Sequence, residues 1–536
     1  MEIGRKERPY TIPHITGDGI ALCVIGRREN RYAREFVLHY LHLGFNKIIL
    51  CDNNFDGEER FESVIGDFIK DGYVEVLDYR NRTGVQRECY EDVYRKYGGY
   101  YRWIAFFDFD EFLVIPHDGR AIHTPIGELM MGNYEGYDCV LFNWMNYGDN
   151  GLVRDDGRDL CERFTEPLPF DHVAQYEGMP DNNHVKCIVR GGLPLVEFCD
   201  NPHLPSNRLR CCNASGEPCS QRPFQPYDFS VAYLKHYATK TVEEWFGNKW
   251  QKGTGNNLNR AHFEMRYAGR FWTYNEWTQE KEDVMREIIG LQPRIVPSQK
   301  TVVIVNFNTQ KLTEAAIRSL NKHTPGCRVV VFDNSDKEAF VIPSADAAGT
   351  VAFDNVEVID NTKGQLIDFD KMLAEYPDKY PCPENNYGSA KHCRTIDYCF
   401  DLFPEGFLLM DSDVLVRKDI SLFFDDSCAW VGQTELHRNR WNYNTPRVLP
   451  YLCYLNVRML SEQGVRYFNG EKMWFLSRQR PNMLYDTGCW FYEACHDLGL
   501  PENHLNINEY ILHLKHGSWN VAQEDEWLEA NRELWK

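Results

Sequence analysis

The sequence predicts an α/β fold: two domains in tandem, each built on a mainly parallel sheet covered by helices. Three observations predict it. Short apolar runs alternate with stretches of helical period, and the alternation occurs twice. The intervals between corresponding runs nearly agree in the two halves. An aspartate stands at the end of most of the runs. Strands that are apolar throughout and alternate with helices belong to parallel sheets buried on both faces, and self-similarity along a chain marks repeated units.

The first element, "IALCVIGRREN" (residues 20–30), is an apolar run that turns polar. A helix comes next, because Ala33, Phe36, Val37, Tyr40 and Leu41 fall on one face and Gly44 suits its C-terminal end. "KIILCDNN" is a second strand ending at Asp52-Asn53, and "VEVLD" a third ending at Asp78. A helical stretch leads to a fourth, "WIAFFDFDEF", with Asp108, Asp110 and Glu111. The second half repeats the order. "TVVIVNFNTQ" precedes a helix with Leu312, Ala315, Ala316, Ser319 and Leu320 on one face. "RVVVFDNS" ends at Asp333, "VEVID" at Asp360, and "GFLLMDSDVL" carries Asp411 and Asp413. The first step, Ile25 to Asp52, is 27 positions, against 28 from Val305 to Asp333. The next is 26 against 27, and the last 30 against 51, so the second half carries an insertion of about 21 residues around "QLIDFDKMLAEYPDKYPCPEN".

"NEWTQEKEDVMREIIGL" reads as a helix, and Pro293 and Pro297 prevent it from continuing. This predicts an N-terminal domain over 1–291, a linker over 292–299 and a C-terminal domain over 300–536. The last stretch, "EDEWLEANRELWK", reads as a helix whose Trp527, Leu528 and Trp535 pack on the second domain.

Bulk properties narrow the function. A chain of 536 residues with 43% hydrophobic and 26% charged residues is globular and long enough for two cores. Its net charge of -20 argues against nucleic-acid binding, which needs a basic face. No run approaches a membrane span, and the first residues lack the apolar stretch of a secretory signal. The expectation is a cytoplasmic protein, compatible with peripheral work at the inner face of a membrane. The eighteen cysteines are scattered, many within apolar runs (Cys23, Cys51, Cys139, Cys453), which predicts reduced, buried thiols rather than a disulfide framework. Cys211, Cys212 and Cys219, with His203 upstream, offer zinc-ligand side chains, but adjacent cysteines rarely share an ion and no CxxC occurs, so zinc is disfavoured. The glycosylation triplets at Asn81 and Asn213 read as chance matches.

Gathered carboxylates are costly unless paired or bound to a cation. Alternate residues of a strand share a face, so two aspartates spaced by one can chelate one ion. Hard oxygens suit Mg²⁺ or Mn²⁺, which complete their shells with phosphate oxygens. The ion then stabilises charge on a departing diphosphate.

The first half resembles the family 92 and related family 2 glycosyltransferases of the GT-A fold, a Rossmann-like α/β architecture. The stretches "RRENRYAREFVLHYLHLGFNKIILCDNN", "WIAFFDFDEFL", "FNWMNYGDNG", "ERFTEP", "HVKCIVR", "NPH" and "LKHYATKTVEEWFGNKW" carry the likeness over about residues 20–250. The second half resembles family 2-like GT-A transferases through "VVIVNFNT", "VVVFDNSD", "GFLLMDSDVLV", "YDTGCWFYEACHDLGL" and "HLKHGSW". The resemblance implies a bifunctional hexosyltransferase that uses nucleotide-sugar donors, UDP-linked, with one Mn²⁺ or Mg²⁺ per domain. An oligosaccharide or lipid-linked glycan would be the acceptor, in polysaccharide assembly. By it, Asp52, Asp78, Gln86, Asp108 and Trp144 would bind the first donor, and Asp333, Asp360 and Asp411 the second. Asp108, Asp110 and His236 would hold one cation; Asp411, Asp413 and His513 or His516 the other. An inverting transfer, expected of the first domain, also needs a general base. Glu162 and Asp149 stand as alternatives there, with Glu162 preferred because Asp149-Asn150-Gly151 also reads as a turn. Asp486 is the candidate in the second domain. Trp144, Tyr147, Trp441, Tyr443, Trp490 and Trp519 lie near the polar motifs and could stack on a pyranose, although core packing accounts for any one of them.

Three other readings compete. One domain could be active and the other only bind glycan. A haloacid-dehalogenase-like phosphohydrolase places its nucleophilic aspartate on the first strand, whereas three strands precede these. A nucleotidyltransferase opens with a Gly-rich basic loop, which neither "VIGRREN" nor "VNFNTQ" supplies.

Overall fold

A computed structural model describes residues 19–116, 125–131, 134–173, 179–199, 202–252, 270–343, 353–374, 383–438, 444–470, 485–514 and 523–536. The chain divides into two compact units, Met1–Phe263 with Thr273–Met285, and Glu264–Trp272 with Arg286–Lys536. Both are α/β.

In the N-terminal unit β1 (Ile20–Gly26), β2 (Lys47–Asp52), β3 (Val74–Asp78) and β4 (Trp103–Phe106) are parallel neighbours in the order β3-β2-β1-β4. Helices α1 (Asn30–His42), α2 (Glu62–Lys70) and α3 (Gln86–Tyr97) make the crossovers. Helix α1 buries Ala33, Phe36, Val37 and Tyr40 of the face that its periodicity predicts, together with Tyr32, while Leu41 is only partly buried. It ends where Gly44 takes φ +95° and donates its N–H to the carbonyl of Leu41, a conformation that favours glycine. The chain leaves β1 toward β2 on one side and returns to its other side at β4. That reversal opens a crevice at the carboxyl ends of β1 and β4, the place where such sheets bind ligands. The sheet continues antiparallel through β7 (Val185–Arg190) and β6 (Cys139–Asn146), with β8 (Cys211–Asn213) on β6. Beyond β6 lie β9 (Tyr233–His236) and β5 (Glu111–Val114).

The C-terminal unit repeats the plan. Strands β10 (Thr301–Asn306), β11 (Arg328–Asp333), β12 (Val356–Asp360) and β13 (Phe407–Asp411) run parallel in the order β12-β11-β10-β13. Then come β18 (Leu452–Leu455), β15 (Trp430–Gly432) and β19 (Glu502–His504). Two ribbons complete it: β14 (Val414–Val416) with β20 (Ile511–His513), and β16 (Thr434–Arg438) with β17 (Asn444–Val448). The helix Gln310–His323 buries Leu312, Ala315, Ala316, Ser319 and Leu320, as its periodicity predicts. The inserted stretch contributes the helix Phe369–Ala374, and part of it lies outside the described residues. The terminal segment is two short helices, Glu524–Ala530 and Arg532–Trp535, with Leu528 buried against Leu312, Ala315 and Leu415.

Two expectations are corrected. The acids of the fourth run do not alternate along one strand. In both units the strand ends, a tight turn intervenes, and a new short strand begins: β4 to β5 and β13 to β14. The turn forms because its middle residue is pulled inward. Phe109 is buried, stacks on Phe61 at 5.5 Å and touches Phe36 at 4.8 Å. It also covers Gly26, where a Cβ would lie 2.4 Å from its ring. In the other unit Ser412 is buried and accepts a hydrogen bond from Thr309 at 3.0 Å. The second correction concerns the cysteines. Cys51 on β2 and Cys89 on α3 form a disulfide, with the free thiol of Cys23 buried beside them. Most other described cysteines are buried and free, as expected.

Candidate functional sites at the two strand-end rims

The two units deliver a histidine to the turn in the same way. Strand β5 pairs antiparallel with β9 so that Glu111 faces His236; β14 pairs antiparallel with β20 so that Val414 faces His513. In each case the residue after the second aspartate opposes the histidine. The residue after the histidine donates its N–H to that aspartate's carbonyl: Tyr237 to Asp110 at 2.9 Å, Leu514 to Asp413 at 3.0 Å. Histidines 126 and 100 positions beyond their aspartates in sequence are thus register neighbours of the turn.

In the C-terminal unit the side chains converge. His513 Nε2 lies 3.2 Å from Asp413 Oδ1, and His392 Nε2 lies 3.7 Å from Asp411 Oδ1. Tyr451 stacks on the His513 ring at 3.9 Å and fixes its plane. One ligand atom each from Asp411, Asp413 and His513 lie within 4.8 Å of one another. Burial raises the Asp411 pKa, opposed by His392 and reinforced by the Asp413 charge, as expected for gathered acids. Two hard oxygens and an imidazole fit Mn²⁺ better than Mg²⁺, which keeps to oxygen. Asp333 is buried and already satisfied: Asn306, Ser335 and the Phe340 N–H all donate to it. Asp360 is exposed and caps Thr362. Asp486 bridges Ser389 and Arg447, the latter at 2.6 Å, and Arg447 also pairs with Glu435. His516, Trp441, Tyr443 and Trp519 lie outside the described residues. Trp490 donates to the Arg466 carbonyl.

The N-terminal unit has the same frame with different neighbours. Asp108 accepts hydrogen bonds from Gln86 at 2.9 Å and Tyr90 at 3.1 Å, both on α3, and pairs with Lys186 at 2.6 Å. Lys186 is buried and also lies 3.6 Å from the buried Glu111. Burial raises the Glu111 pKa well above the usual range despite that lysine, and the Lys186 pKa is raised although burial opposes it, because Asp108 and Glu111 face it. Asp110 pairs with Lys249 at 2.8 Å, and Lys240 stands 3.9 Å away. Burial would raise its pKa, but Lys249, Lys240 and His236 outweigh burial and hold it well below the ordinary carboxylate value. Among the described residues, Asp108, Asp110 and His236 do not form a three-ligand group, and both aspartates already hold an ammonium. They do not fit a divalent cation as they stand.

Most of the remaining predicted residues are engaged by neighbours. Asp52 is buried, pairs with Arg80 at 2.7 Å and accepts from Asn54. Asp78, its register partner on β3, is exposed and accepts the Arg80 N–H. His236 shares a hydrogen bond at Nδ1 with Asn146 at 2.7 Å and lies against Trp144, ring centres 4.0 Å apart. Trp144 is buried between His184, His203 and His236 and therefore packs the rim from below. Asp149 is buried, paired with Lys281 at 2.5 Å, and caps the turn through Gly151; burial raises its pKa. Glu162 is exposed on the short helix Leu160–Arg163. Cys211 and Cys212 point into opposite cores of the sheet, so they cannot share one ion.

Lys186, Lys249 and Arg163 belong to the site; they lie in "HVKCIVR", "LKHYATKTVEEWFGNKW" and "ERFTEP", stretches that carry the resemblance without giving these three residues a role. The segment Val242–Lys252, with a π-helical turn at Trp245–Lys249, carries Lys249. Its start is locked by Thr241 and Glu244, which cap each other. Glu244 also takes a two-pronged bond from the buried Arg163, at 2.9 and 2.8 Å, and one from Tyr32 at 2.6 Å. "ERF" and "TVEEWFGNKW" thus form one clamp, legible only once the chain is folded. The far end is tied to the loop after β1: Asn248 donates to the Arg28 carbonyl, Arg28 to that of Gly247, and Lys252 to that of Arg27.

The family model for glycosyltransferase family 92 matches residues 19–268, so that part of the chain has the character of this glycosyltransferase family. No curated protein matches the chain significantly. Solved structures similar to it include the galactosyltransferase LgtC, described with donor and acceptor sugar analogues (14% identity, 39% of this chain, 73% of that one, TM-score 0.25). Another is residues 1–349 of S. aureus TarS, described with UDP-GlcNAc (9% identity, 51% of this chain, 80% of that one, TM-score 0.22). A third is mouse xyloside xylosyltransferase 1 (11% identity, 35% of this chain, 85% of that one, TM-score 0.23).

Proposed function

We propose that this chain is a GT-A glycosyltransferase with a donor site at the strand-end rim of each unit. It would move hexosyl groups from nucleotide sugars, UDP-linked, to an oligosaccharide or lipid-linked glycan in polysaccharide assembly. The observation that carries the reading is the repeated construction: an acid turn at the switch point and a histidine delivered to it in the same register in both units. The family 92 match over 19–268 supports it for the first unit. In the second unit Asp411, Asp413 and His513 would hold Mn²⁺, whose chemistry when bound is to neutralise a departing diphosphate. Asp333, with its bonds satisfied, would shape the nucleoside pocket rather than bind through a free carboxylate. In the first unit the transfer would be inverting, with Glu162 rather than the paired Asp149 as base. Among the described residues no helix is long and apolar enough to cross a membrane; cytoplasmic work at a membrane's inner face is part of the proposal.

The test is a donor screen of the full chain: UDP-, GDP- and dTDP-sugars with Mn²⁺, read by thermal shift and product mass. A shift with one nucleotide class and a product heavier by one hexose per step is expected. No shift with any donor, with or without cation, removes the enzyme reading. A second reading, one catalytic unit beside a glycan-binding one, is favoured by the lysines that hold Asp108 and Asp110. Asp110→Asn and Asp413→Asn, assayed separately, decide between them: if one leaves all transfer intact, only the other unit is catalytic.

A further inference from the structure

We infer that the N-terminal unit takes the anionic diphosphate of its donor without a divalent cation, using lysines in its place. The inference rests on the glycosyltransferase reading above. The two rims share a backbone but differ in what neutralises their acids. At the C-terminal turn two carboxylates and an imidazole stand with ligand atoms within 4.8 Å of one another. At the N-terminal turn Lys186 holds Asp108 and reaches Glu111, while Lys249 and Lys240 stand at Asp110. A cation entering there would have to displace an ammonium that is already within hydrogen-bond distance of each aspartate. Lys186 could not leave for water, since it is buried beneath the turn.

Lys249 is the group placed to meet a ligand. Its side chain is 25% exposed, whereas that of Lys186 is 2%. It is built in rather than incidental, because the Thr241–Glu244–Arg163 clamp and the ties to the loop after β1 fix the segment that bears it. That loop adds Arg27 and Arg28 at the switch point, and Arg28 has φ +53° and a backbone N–H held by Asn54. A nucleoside diphosphate carries charge that ammonium and guanidinium groups can bind directly. The aspartates then position the lysines instead of chelating an ion. Each acid–lysine pair keeps the rim near neutrality when empty, which is the condition for holding charges in a half-buried site.

Two measurements on the full chain test this. Mn²⁺ is titrated by electron paramagnetic resonance, and UDP binding is followed by calorimetry in Mn²⁺ or in EDTA. The expected count is one Mn²⁺ per chain, lost in Asp413→Asn and kept in Asp110→Asn. Asp413→Asn is expected to bind UDP equally in Mn²⁺ and EDTA. Adding Lys249→Gln should weaken that binding at least tenfold, and Lys249→Arg should restore most of it, which a merely unfolded variant would not allow. Two Mn²⁺ per chain, with one lost in Asp110→Asn, overturns the inference. So does UDP binding by Asp413→Asn that vanishes in EDTA. Absence of UDP binding in every form would instead sink the UDP-linked donor of the reading above, and the Mn²⁺ count would still decide how the first rim treats cations.

Discussion

Lys249 Nζ lies 2.8 Å from Asp110 Oδ2, across 139 residues of sequence. At the corresponding aspartate of the other unit, Asp413, the described ion-pair partner is the imidazole of His513. The paired histidines hold the same register in both units, so the difference is one of side chains and not of backbone. The rim can therefore be taken apart residue by residue.

Lys186 is the buried counter-charge of Asp108 and Glu111. Lys186→Met leaves the buried Glu111 and the partly exposed Asp108 without their counter-charge and should cost about 1–3 kcal/mol, less than the loss of a fully buried pair because solvent reaches Asp108. Urea unfolding of the wild type and the variant measures it. Adding Asp108→Asn and Glu111→Gln should recover a large part of the loss; no recovery would mean that the charges are not what the lysine stabilises.

Gly26 is the floor on which Phe109 rests, and a Cβ there would meet the ring at 2.4 Å. Gly26→Ala should displace the turn and cost about 1–3 kcal/mol, as overpacking does. Donor binding at the N-terminal rim should fall with it. The paired change Gly26→Ala with Phe109→Leu should relieve the larger part of the clash, leaving the contact with Phe61 at 2.8 Å, measured by melting temperature and by UDP binding in an Asp413→Asn background.

His39 on α1 bonds the Leu113 carbonyl, and burial pushes its pKa down from 6.5 to about 4 against that bond. Between those values the unfolded chain holds a proton that the folded chain refuses. Its contribution to stability is therefore complete above pH 6.5, falls as pH drops, and is flat below about 4. At about 1.4 kcal/mol per unit the loss amounts to a few kcal/mol at most. Unfolding free energies across that range should slope less in His39→Gln; an unchanged slope would assign the titration elsewhere.

The Cys51–Cys89 disulfide closes a loop of 38 positions and ties α3, which carries Gln86 and Tyr90, to the strand that ends in Asp52. On the chain-entropy model such a loop contributes about 4 kcal/mol. Cys89→Ala should melt lower than the wild type under oxidising conditions, and denaturing reductant should close most of the gap. Equal melting in both states would show that the bridge does not stabilise the fold.

Much of the fold was legible in the sequence. Most of the apolar faces of the helices Asn30–His42 and Gln310–His323, the succession of eight parallel strands along the chain and the position of the acids come from periodicity and spacing, because burial on both sides of a sheet demands continuous apolar runs. The short partners of the turn were not legible. Strands β5, β9, β14 and β20 hold three or four residues each, too few to show a period. "DFDEF" reads as one strand because the inward pull on Phe109 comes from Phe36, Phe61 and the bare backbone of Gly26, residues distant in sequence. Cys51 and Cys89 read as two more core thiols, since nothing local says that α3 lies over β2.

What the sequence determined by itself is the repeat: two α/β units with aspartates where parallel strands end. What only the tertiary structure decided is which charge meets those aspartates. An ion pair depends on groups brought within a few ångströms, and Lys186, Lys240 and Lys249 come from parts of the chain 78 to 139 positions beyond the aspartates they face. Strand periodicity is a local consequence of burial and survives in the sequence; electrostatic pairing across a rim is a property of the folded surface and does not.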